Sequence, residues 1–523
     1  MRHVEARAGA YADSVTLMQV TAAAQAVPGV RAAMVAMATS LNLELLAGLG
    51  LDAPDGAGQN DMLVAVEAAD AGTLDAALAA IEGALRAGPG GGDGQAEGGD
   101  GTGIGAGQPP RTTLSAARQA GRAGRAGQAG RAGAEPAVVL VSVPGPYAFA
   151  EAADAIEAGC DVMIFSDNVP VEQEIWLKDR AAERNVLVMG PDCGTAIVGG
   201  IGLGFSHSVP SGPVGIVAAS GTGAQQVTCL LDAAGTGVSA VLGIGGRDLS
   251  AAVGGRSARA ALAALDEDQD TELIVLLSKP PDPQVAAGLR EYAATLATPV
   301  QFALIGAGQP DLTAAAESAL RTLGRPVPSW PSWTAAADAG PATAPRPAAG
   351  ALRGLFSGGT LCDEAMVIAA GRLGPVYSNI PLQPDWRIDP AEAAAENGQH
   401  VMIDFGDDAL TAGRPHPMID LRLRLDRLAA ETAHPQTEVI LLDVVLGYGA
   451  HPDPAAEFAP AVRRAVRERG LPVVVSLIGA RSDPQDVGRQ ASLLAGAGAR
   501  VYGSNAAAAR FACDLIDRKA VRP

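Results

Sequence analysis

A chain of 523 residues has room for roughly three to four domains. Its formal net charge is −19 and aromatic residues make up only 3%, which argues against non-specific binding to nucleic acid or to an anionic membrane. The cysteines, Cys160, Cys193, Cys229, Cys362 and Cys513, are odd in number and lack a CxxC pair, so neither a disulfide framework nor a common zinc spacing is indicated and a reducing cytoplasm is the expected compartment.

The first residues, Met1-Arg-His-Val-Glu-Ala-Arg7, are polar and show no apolar signal-peptide core. No apolar run approaches the roughly 20 residues that span a bilayer. Residues 1–86 read as a small α+β module of ferredoxin-like or ACT-like type. Its predicted strands are Ser14–Met18, Val30–Ala38 and Asp61–Ala68; its predicted helices are Ser40–Leu49 and the amphipathic Thr73–Leu85. Residues 87–135 repeat Gly, Ala, Arg and Gln in low-complexity order and cannot bury a core, so a disordered linker is expected.

Residues 136–210 alternate strand and helix. Strands are predicted at Ala137–Ser142, Asp161–Ser166 and Asn185–Gly190, with helices at Ala148–Ala158 and Val171–Arg184. Short alternation of this kind implies right-handed crossovers and a parallel sheet. Residues 211–322 and 351–523 follow as two similar α/β units, separated by a proline-rich linker at 323–350. A last strand at Val473–Leu477 and an edge at Ala499–Tyr502 complete the second sheet.

The two units share a signature. The first reads Gly215-Ile-Val-Ala-Ala-Ser220-Gly221-Thr222-Gly223, the second Gly354-Leu-Phe-Ser357-Gly358-Gly359-Thr360-Leu361. Each runs an apolar strand into a small-residue turn and then a helical pattern. Each is followed by a Gly-bearing strand end, at Gly245-Gly246-Arg-Asp248 and Gly406-Asp-Asp408, and by a buried strand, at Thr271–Leu277 and Thr437–Leu442. An internal duplicate indicates two related α/β units, and their helix starts offer free backbone N–H groups that can converge on one anion.

These residues resemble a known family. Residues 136 to about 305 are similar to the succinyl-CoA synthetase α subunit: Val143-Pro144-Gly145-Pro146-Tyr147, Phe165-Ser166-Asp167, Gly190-Pro191-Asp192-Cys193 and the Ser220-Gly221-Thr222 turn carry the likeness. Residues 351–500 are similar to the CoA-ligase domain of the β subunit. The order of parts resembles the FdrA proteins, an acyl-CoA synthetase family. The resemblance implies a multidomain α/β fold, with a Rossmann-like CoA-binding-type domain at 136–210 and two flavodoxin-like ligase domains. It implies CoA contacts at Phe165, Ser166 and Asp167, and phosphate binding at Ser220, Gly221, Thr222, Gly358, Gly359 and Thr360. It also implies that Cys193 and Gln225 lie near the site, Gln225 where the family has a tyrosine.

The chain departs from the family where a phosphorylated histidine is expected. The strand Pro299–Ile305 runs into Gly306-Ala-Gly-Gln-Pro310, and no histidine lies between His207 and His400. The family's His-holding glutamate falls on Lys279. An ammonium there is a direct anion ligand, or a strand-end lysine reaching solvent. His416, in Gly413-Arg-Pro-His416-Pro, is a candidate acid/base or anion contact. Asp248 and Asp408 sit at corresponding strand ends, suited to Mg²⁺ or to helix capping. Cys193 reads as a buried thiol or a near-site residue.

Three functional readings follow. The first is acyl-CoA synthesis with nucleotide turnover, in which a partner subunit supplies the missing ATP-grasp domain. The second, implied by the FdrA resemblance, is a subunit of an oxamate carbamoyltransferase in purine breakdown, with carbamoyl phosphate between the helix starts. The third is a non-catalytic scaffold. CoA, a nucleotide or carbamoyl phosphate, and Mg²⁺ are the expected small molecules; partner subunits or a homo-oligomer are the expected assembly.

Overall fold

The computed structural model describes residues 1–8, 10, 12, 14–39, 42–43, 46–47, 50–54, 56–58, 61–87, 113, 138–334, 350–390, 398–411 and 414–520. The expected linker at 87–135 thus lies, apart from residues 87 and 113, outside the described residues, as do residues 335–349 of the proline-rich stretch. The chain forms two compact units, one of Met1–Cys160 with Ala412–Pro415, the other of Asp161–Thr411 with His416–Pro523.

In the first unit, strands β1 (Arg2–Arg7), β2 (Val30–Met37) and β3 (Met62–Ala68) form an antiparallel sheet in the order β1-β3-β2. Helices α1 (Ser14–Gln25) and α2 (Ala71–Ala87) close one face over Leu17, Val20, Val35, Val64, Val66 and Ile81. Leu46 and Leu51 pack with Leu63 and Ala65. Of the helix expected at Ser40–Leu49, residues 42–43 and 46–47 are helical and the remaining residues lie outside the described set.

One expectation is corrected here. Ser14–Met18 begins α1 and is not a strand. Its Val and Thr side chains favour strands locally, but Leu17, Val20, Thr21 and Ala24 recur at helical spacing and are buried against the sheet. Thr21 Oγ1 donates to the Leu17 carbonyl at 2.8 Å within the helix. The first strand is instead Arg2–Arg7, whose alternating charges suit a sheet edge and hide it from an apolar pattern. Strand β4 (Val138–Val141) and helix α3 (Gly145–Glu157) complete this unit. Pro146 stands in the first turn of α3, where a missing N–H costs nothing.

The second unit opens with β5 (Asp161–Ile164), α4 (Val171–Arg184) and β6 (Val188–Met189); β5 and β6 pair in parallel. A hairpin absent from the sequence reading follows, β7 (Thr195–Val198) and β8 (Ile201–Gly204). Its two-residue turn is Gly199-Gly200 at φ 57° and 77°, the left-handed backbone that tight hairpins require.

The first duplicated segment then runs β9 (Ser211–Ala218), α5 (Gly221–Ala233), β10 (Val238–Gly243), α6 (Arg256–Glu267), β11 (Leu273–Ser278), α7 (Pro283–Ala293), β12 (Val300–Leu304) and α8 (Leu312–Thr322). With the hairpin it builds a sheet ordered β12-β11-β9-β10-β7-β8. The second segment runs β13 (Ser332–Trp333), β14 (Ala351–Phe356), α9 (Gly359–Leu373), β15 (Val376–Tyr377), β16 (His400–Asp404), α10 (Asp408–Thr411), α11 (Arg422–Ala433), β17 (Thr437–Val445), α12 (Pro454–Arg469), β18 (Val473–Ile478), α13 (Val487–Gly496), β19 (Arg500–Tyr502) and α14 (Asn505–Ala520). Its sheet is ordered β13-β19-β18-β17-β14-β16-β15. The Ala499–Tyr502 edge is corrected by this order: β19 is an inner strand, and Ser332–Trp333 pairs antiparallel on its open side.

The duplication is therefore one of topology. The run β12-β11-β9-β10 corresponds strand for strand to β18-β17-β14-β16, all parallel. Fully buried apolar strands such as β14 and β17 need both sheet faces covered, which the crossover helices supply. In each copy the strand preceding the signature turn is central, with β10 and β11 on opposite sides of β9 and β16 and β17 on opposite sides of β14. That is the switch point of a doubly wound sheet, where a crevice opens at the carboxyl ends of the strands.

Candidate functional site

The carboxyl ends of β9 and β14 meet. Ser220, the residue before α5, has extended backbone, and its Oγ accepts from Gly223 N at 3.0 Å, a helix cap. The same Oγ lies 2.6 Å from Thr360 Oγ1 in the first turn of α9. Gly358 leads into α9 without a side-chain cap. A Cβ on Gly358 would lie 2.4 Å from Thr222 Cγ2, and one on Gly223 would lie 3.1 Å from Thr360 Cγ2. The two helix starts thus face each other in contact, and the small residues of the signature are what allow the approach. Ser220 and Thr360 are buried, whereas Gly221 is exposed. One turn further along α5, Gln225 is 1% exposed and its Nε2 donor finds no acceptor among the described residues. A buried unmet donor costs about 1–3 kcal/mol, so this one is available to an incoming acceptor.

Lys279, just past β11, joins the α9 start. Its Nζ pairs with Asp363 Oδ2 at 2.8 Å and lies 3.3 Å from the point a Cβ on Gly359 would occupy. Burial opposes the ammonium charge, but Asp363 and then Asp404 outweigh it, and the pKa of Lys279 is raised. Asp363 is held above the ordinary carboxylate range, burial outweighing the attraction of Lys279. Lys279 keeps 45% of its side chain accessible while protein surrounds it on most sides, the situation of a group lining a recess.

Asp404, the last residue of β16, is a site residue that sequence reading passed over in favour of Asp408. Asn379 fixes its backbone, accepting from Asp404 N at 3.0 Å and donating to Asp404 O at 2.9 Å. Asp404 Oδ1 accepts from Gly406 N at 2.9 Å, and Oδ2 is 2.8 Å from a Cβ built on Gly359, so glycine at 359 is what admits the carboxylate. Burial pushes Asp404 up to about 7, against the pull of the Gly406 N–H and Lys279. Behind it, Asp443 of β17 accepts from Ser357 N at 2.9 Å and from Arg424 at 2.6 Å, which ties the signature turn to the sheet.

His416 also reaches this place. A Cβ on Gly406 would lie 3.1 Å from its Nε2 and 3.2 Å from Asp404 Oδ1. Its Nδ1 accepts from Met418 N at 3.2 Å, so the neutral ring carries its proton on Nε2. Burial, then Arg424, pushes His416 down to about 4. The ring therefore acts near neutrality as a hydrogen-bond donor and not as a base. It stacks obliquely on Phe205 at 5.1 Å, and Phe205 on Phe165 at 5.9 Å. Next to Phe165 in the chain, Ser166 is buried and Asp167 is exposed. Asp192 is accessible yet enclosed; burial, then Asp408 and Asp167, pushes it up to about 7.

One expectation needs correction. Asp248 is not available to a metal: its Oδ1 pairs with buried Lys178 at 2.7 Å and accepts from Ser257 N, and its Oδ2 accepts from Ala258 N at 3.0 Å. It secures α6, the capping alternative. Asp408 opens the short α10, where burial, then Asp167, raises its carboxyl. Among the described residues no group of three His, Cys, Asp or Glu side chains is arranged to hold a metal ion. Cys193 is 2% exposed behind Gly243, donates to the Thr195 carbonyl at 3.6 Å, and is pushed up to about 12 by burial. It is a packed thiol whose thiolate burial disfavours at neutral pH.

The chain is 33% identical to the uncharacterized protein YahF of Escherichia coli (strain K12), over 97% of both chains. The chain belongs to the YahF family. Residues 355–515 of this YahF-family chain match the CoA-ligase family, and residues 1–99 match the AllF heavy metal-associated domain. The chain is 30% identical over 167 residues to subunit alpha 2 of the ADP-forming succinate–CoA ligase of Archaeoglobus fulgidus, covering 31% of this chain and 56% of that protein. It is 26% identical over 133 residues to SqwL, a subunit of the ADP-forming sulfoacetate-CoA ligase of an Acholeplasma species, covering 24% of this chain and 44% of SqwL.

The N-terminal module lacks the cysteine pair that commonly holds a soft heavy metal, and of its thioether donors Met37 and Met62 are buried in its core. Residues 1–99 contain no cysteine and a single histidine, His3, which pairs with Glu5. Among the described residues no helix is long and apolar enough to cross a membrane.

Proposed function

We propose that this YahF-family chain is a CoA-ligase-type protein of the FdrA kind, which passes an acyl group between CoA and a phosphate-linked intermediate. The observation that carries the reading is the 2.6 Å contact between Ser220 and Thr360, which sets two helix starts against one another. Each start contributes about half a positive charge and free N–H groups, so a phosphate or acyl phosphate is favoured beside them. In this reading Ser220, Gly221, Thr222, Gly358, Gly359 and Thr360 hold the anion. Lys279 releases Asp363 to neutralise it, and the Nε2 donors of Gln225 and His416 add hydrogen bonds. Charge stabilisation of the departing phosphate carries most of the rate. CoA lies along Phe165, Ser166 and Asp167 of the CoA-binding-type segment. The nucleotide, with Mg²⁺, enters through a partner subunit.

The site offers no phosphohistidine relay, because His416 accepts from Met418 N at Nδ1, which leaves Nε2 carrying the ring proton and without a lone pair to take a phosphoryl group. That observation also favours a second reading, carbamoyl transfer with carbamoyl phosphate at the same helix starts. Both are tested by supplying ATP, Mg²⁺, CoA and a panel of carboxylates, with and without co-purified partners, and separately carbamoyl phosphate with oxamate. Thioester formation supports the first reading and phosphate release with oxamate the second. Turnover that survives unchanged in Gly221→Val and Lys279→Ala refutes the anion site in either case.

A further inference from the structure

The site contains a carboxylate with no cation of its own. Asp363 is paired with Lys279 and Asp443 with Arg424, whereas Asp404 accepts a backbone N–H and makes no ion pair among the described residues. The charged and titratable groups that face it are Lys279 after β11, Asp363 and Cys362 of α9, Asp443 of β17, Arg424 of α11 and His416 in the loop before α11. Two cations and two carboxylates among these already balance. His416 is neutral, and burial drives the Cys362 thiol well above its ordinary value, so neither alters the balance.

An ionised Asp404 is therefore an unmatched negative charge, 5% exposed, against the start of α9. An anion arriving between α5 and α9 adds a second. Two adjacent unmatched charges in a recess of low polarisability cannot both remain, and of the three carboxylates Asp404 is the one that no cation holds ionised, so it is the one that takes up a proton.

We propose that Asp404 is the proton carrier of this site: an anion binds at the paired helix starts together with a proton taken up by the Asp404 carboxyl. The inference rests on the anion site of the preceding section and adds the group that answers its charge. Loaded in this way, the carboxyl gives its proton to the oxygen that departs during group transfer. The O–H bond on Asp404 breaks, the departing oxygen gains the proton, and Asp404 returns to the carboxylate.

Sulfate is the probe, because it stays a dianion across the neutral range and its own titration cannot contribute. Calorimetry on the full chain measures its affinity from about pH 6 to about pH 8.5, spanning the value of about 7 at Asp404. The competent protonated fraction falls across that range, so affinity drops roughly ten- to thirtyfold. In Asp404→Asn it stays flat within about twofold. Asp192 and Glu364, also near 7, remain in that variant and serve as its internal control.

A second measurement needs no variant. In buffers of different ionisation heat, sulfate binding to the unaltered protein at about pH 8 takes up close to one proton, falling towards none at about pH 6. Binding without proton uptake at the higher pH, or a pH slope that persists in Asp404→Asn, overturns the proposal and leaves the anion site standing. Absence of sulfate binding at every pH overturns the anion site itself.

Discussion

Replacement of Gly358 by alanine tests the meeting of the two helix starts directly. Gly358 has φ −134°, a conformation open to any residue, so the backbone contributes no penalty. The whole cost comes from the new methyl group, which would lie 2.4 Å from Thr222 Cγ2, 2.7 Å from Thr222 Oγ1 and 2.8 Å from Thr222 Cβ. All three contacts are below van der Waals separation, and overpacking of this kind costs about 1–3 kcal/mol. The three atoms belong to one side chain, so Thr222→Gly removes them together. Alone, that second substitution costs about 0.3 kcal/mol in helix propensity, the difference between threonine and glycine. The double variant is therefore more stable than the sum of the two single effects, by about 1–2 kcal/mol of coupling. Thermal and denaturant unfolding of the four proteins closes the cycle. Additivity within about 0.5 kcal/mol would mean that Gly358 and Thr222 do not touch, and the paired-start site would fall with it.

Further outcomes follow from the same geometry. Asp248→Ala leaves buried Lys178 with Glu174 as its ion-pair partner and the Ile244 carbonyl as a further acceptor, and costs about 3–5 kcal/mol while leaving Mg²⁺ affinity unchanged; a loss of metal binding without a loss of stability would contradict the capping role. Asp404 stands at about 7 when folded against 3.8 for the free side chain, so the folded state holds its proton more tightly. Stability from this group is then present at low pH, declines as pH rises between those values and levels off above the upper one. Asp404→Asn removes that decline, on the order of 2–4 kcal/mol, and an unaltered pH profile of the unfolding midpoint would refute the assignment. Cys193 resists alkylation at about pH 8 in the folded protein and reacts after unfolding; rapid native labelling at that position by mass spectrometry would contradict its burial. Titration of the intact chain with copper(I) against a competing chelator finds no tight site in residues 1–99, whereas one equivalent that is lost in His3→Ala would show that this histidine, with softer donors beside it, serves as a ligand.

Local pattern carried much of this protein. The duplicated strand, turn and helix were legible because an apolar run passes into a small-residue turn and then a helical period in both copies, and both became parallel strands whose helices start at the turn, the first capped by Ser220 and the second opened by Gly358 without a side-chain cap. The α/β class followed from alternation, since buried strands and amphipathic helices differ in period over a few residues. The same locality misled at Ser14–Met18, where β-branched side chains outvoted a helical stripe that acquires meaning only against a sheet.

Partners far apart in the chain were beyond sequence alone. Ser220 and Thr360 are separated by 140 residues, and nothing in either turn dictates that their hydroxyls share a hydrogen bond. Asp363, Asp404 and Lys279 lie in three different elements, and only the packing of α9 against the strand ends makes them one electrostatic group. Asp248 and Asp408 look equivalent in sequence, yet Lys178 claims the first and the second opens another helix. Periodicity records how each segment buries its own apolar face, whereas the charges a carboxylate meets depend on which segments the finished fold brings beside it.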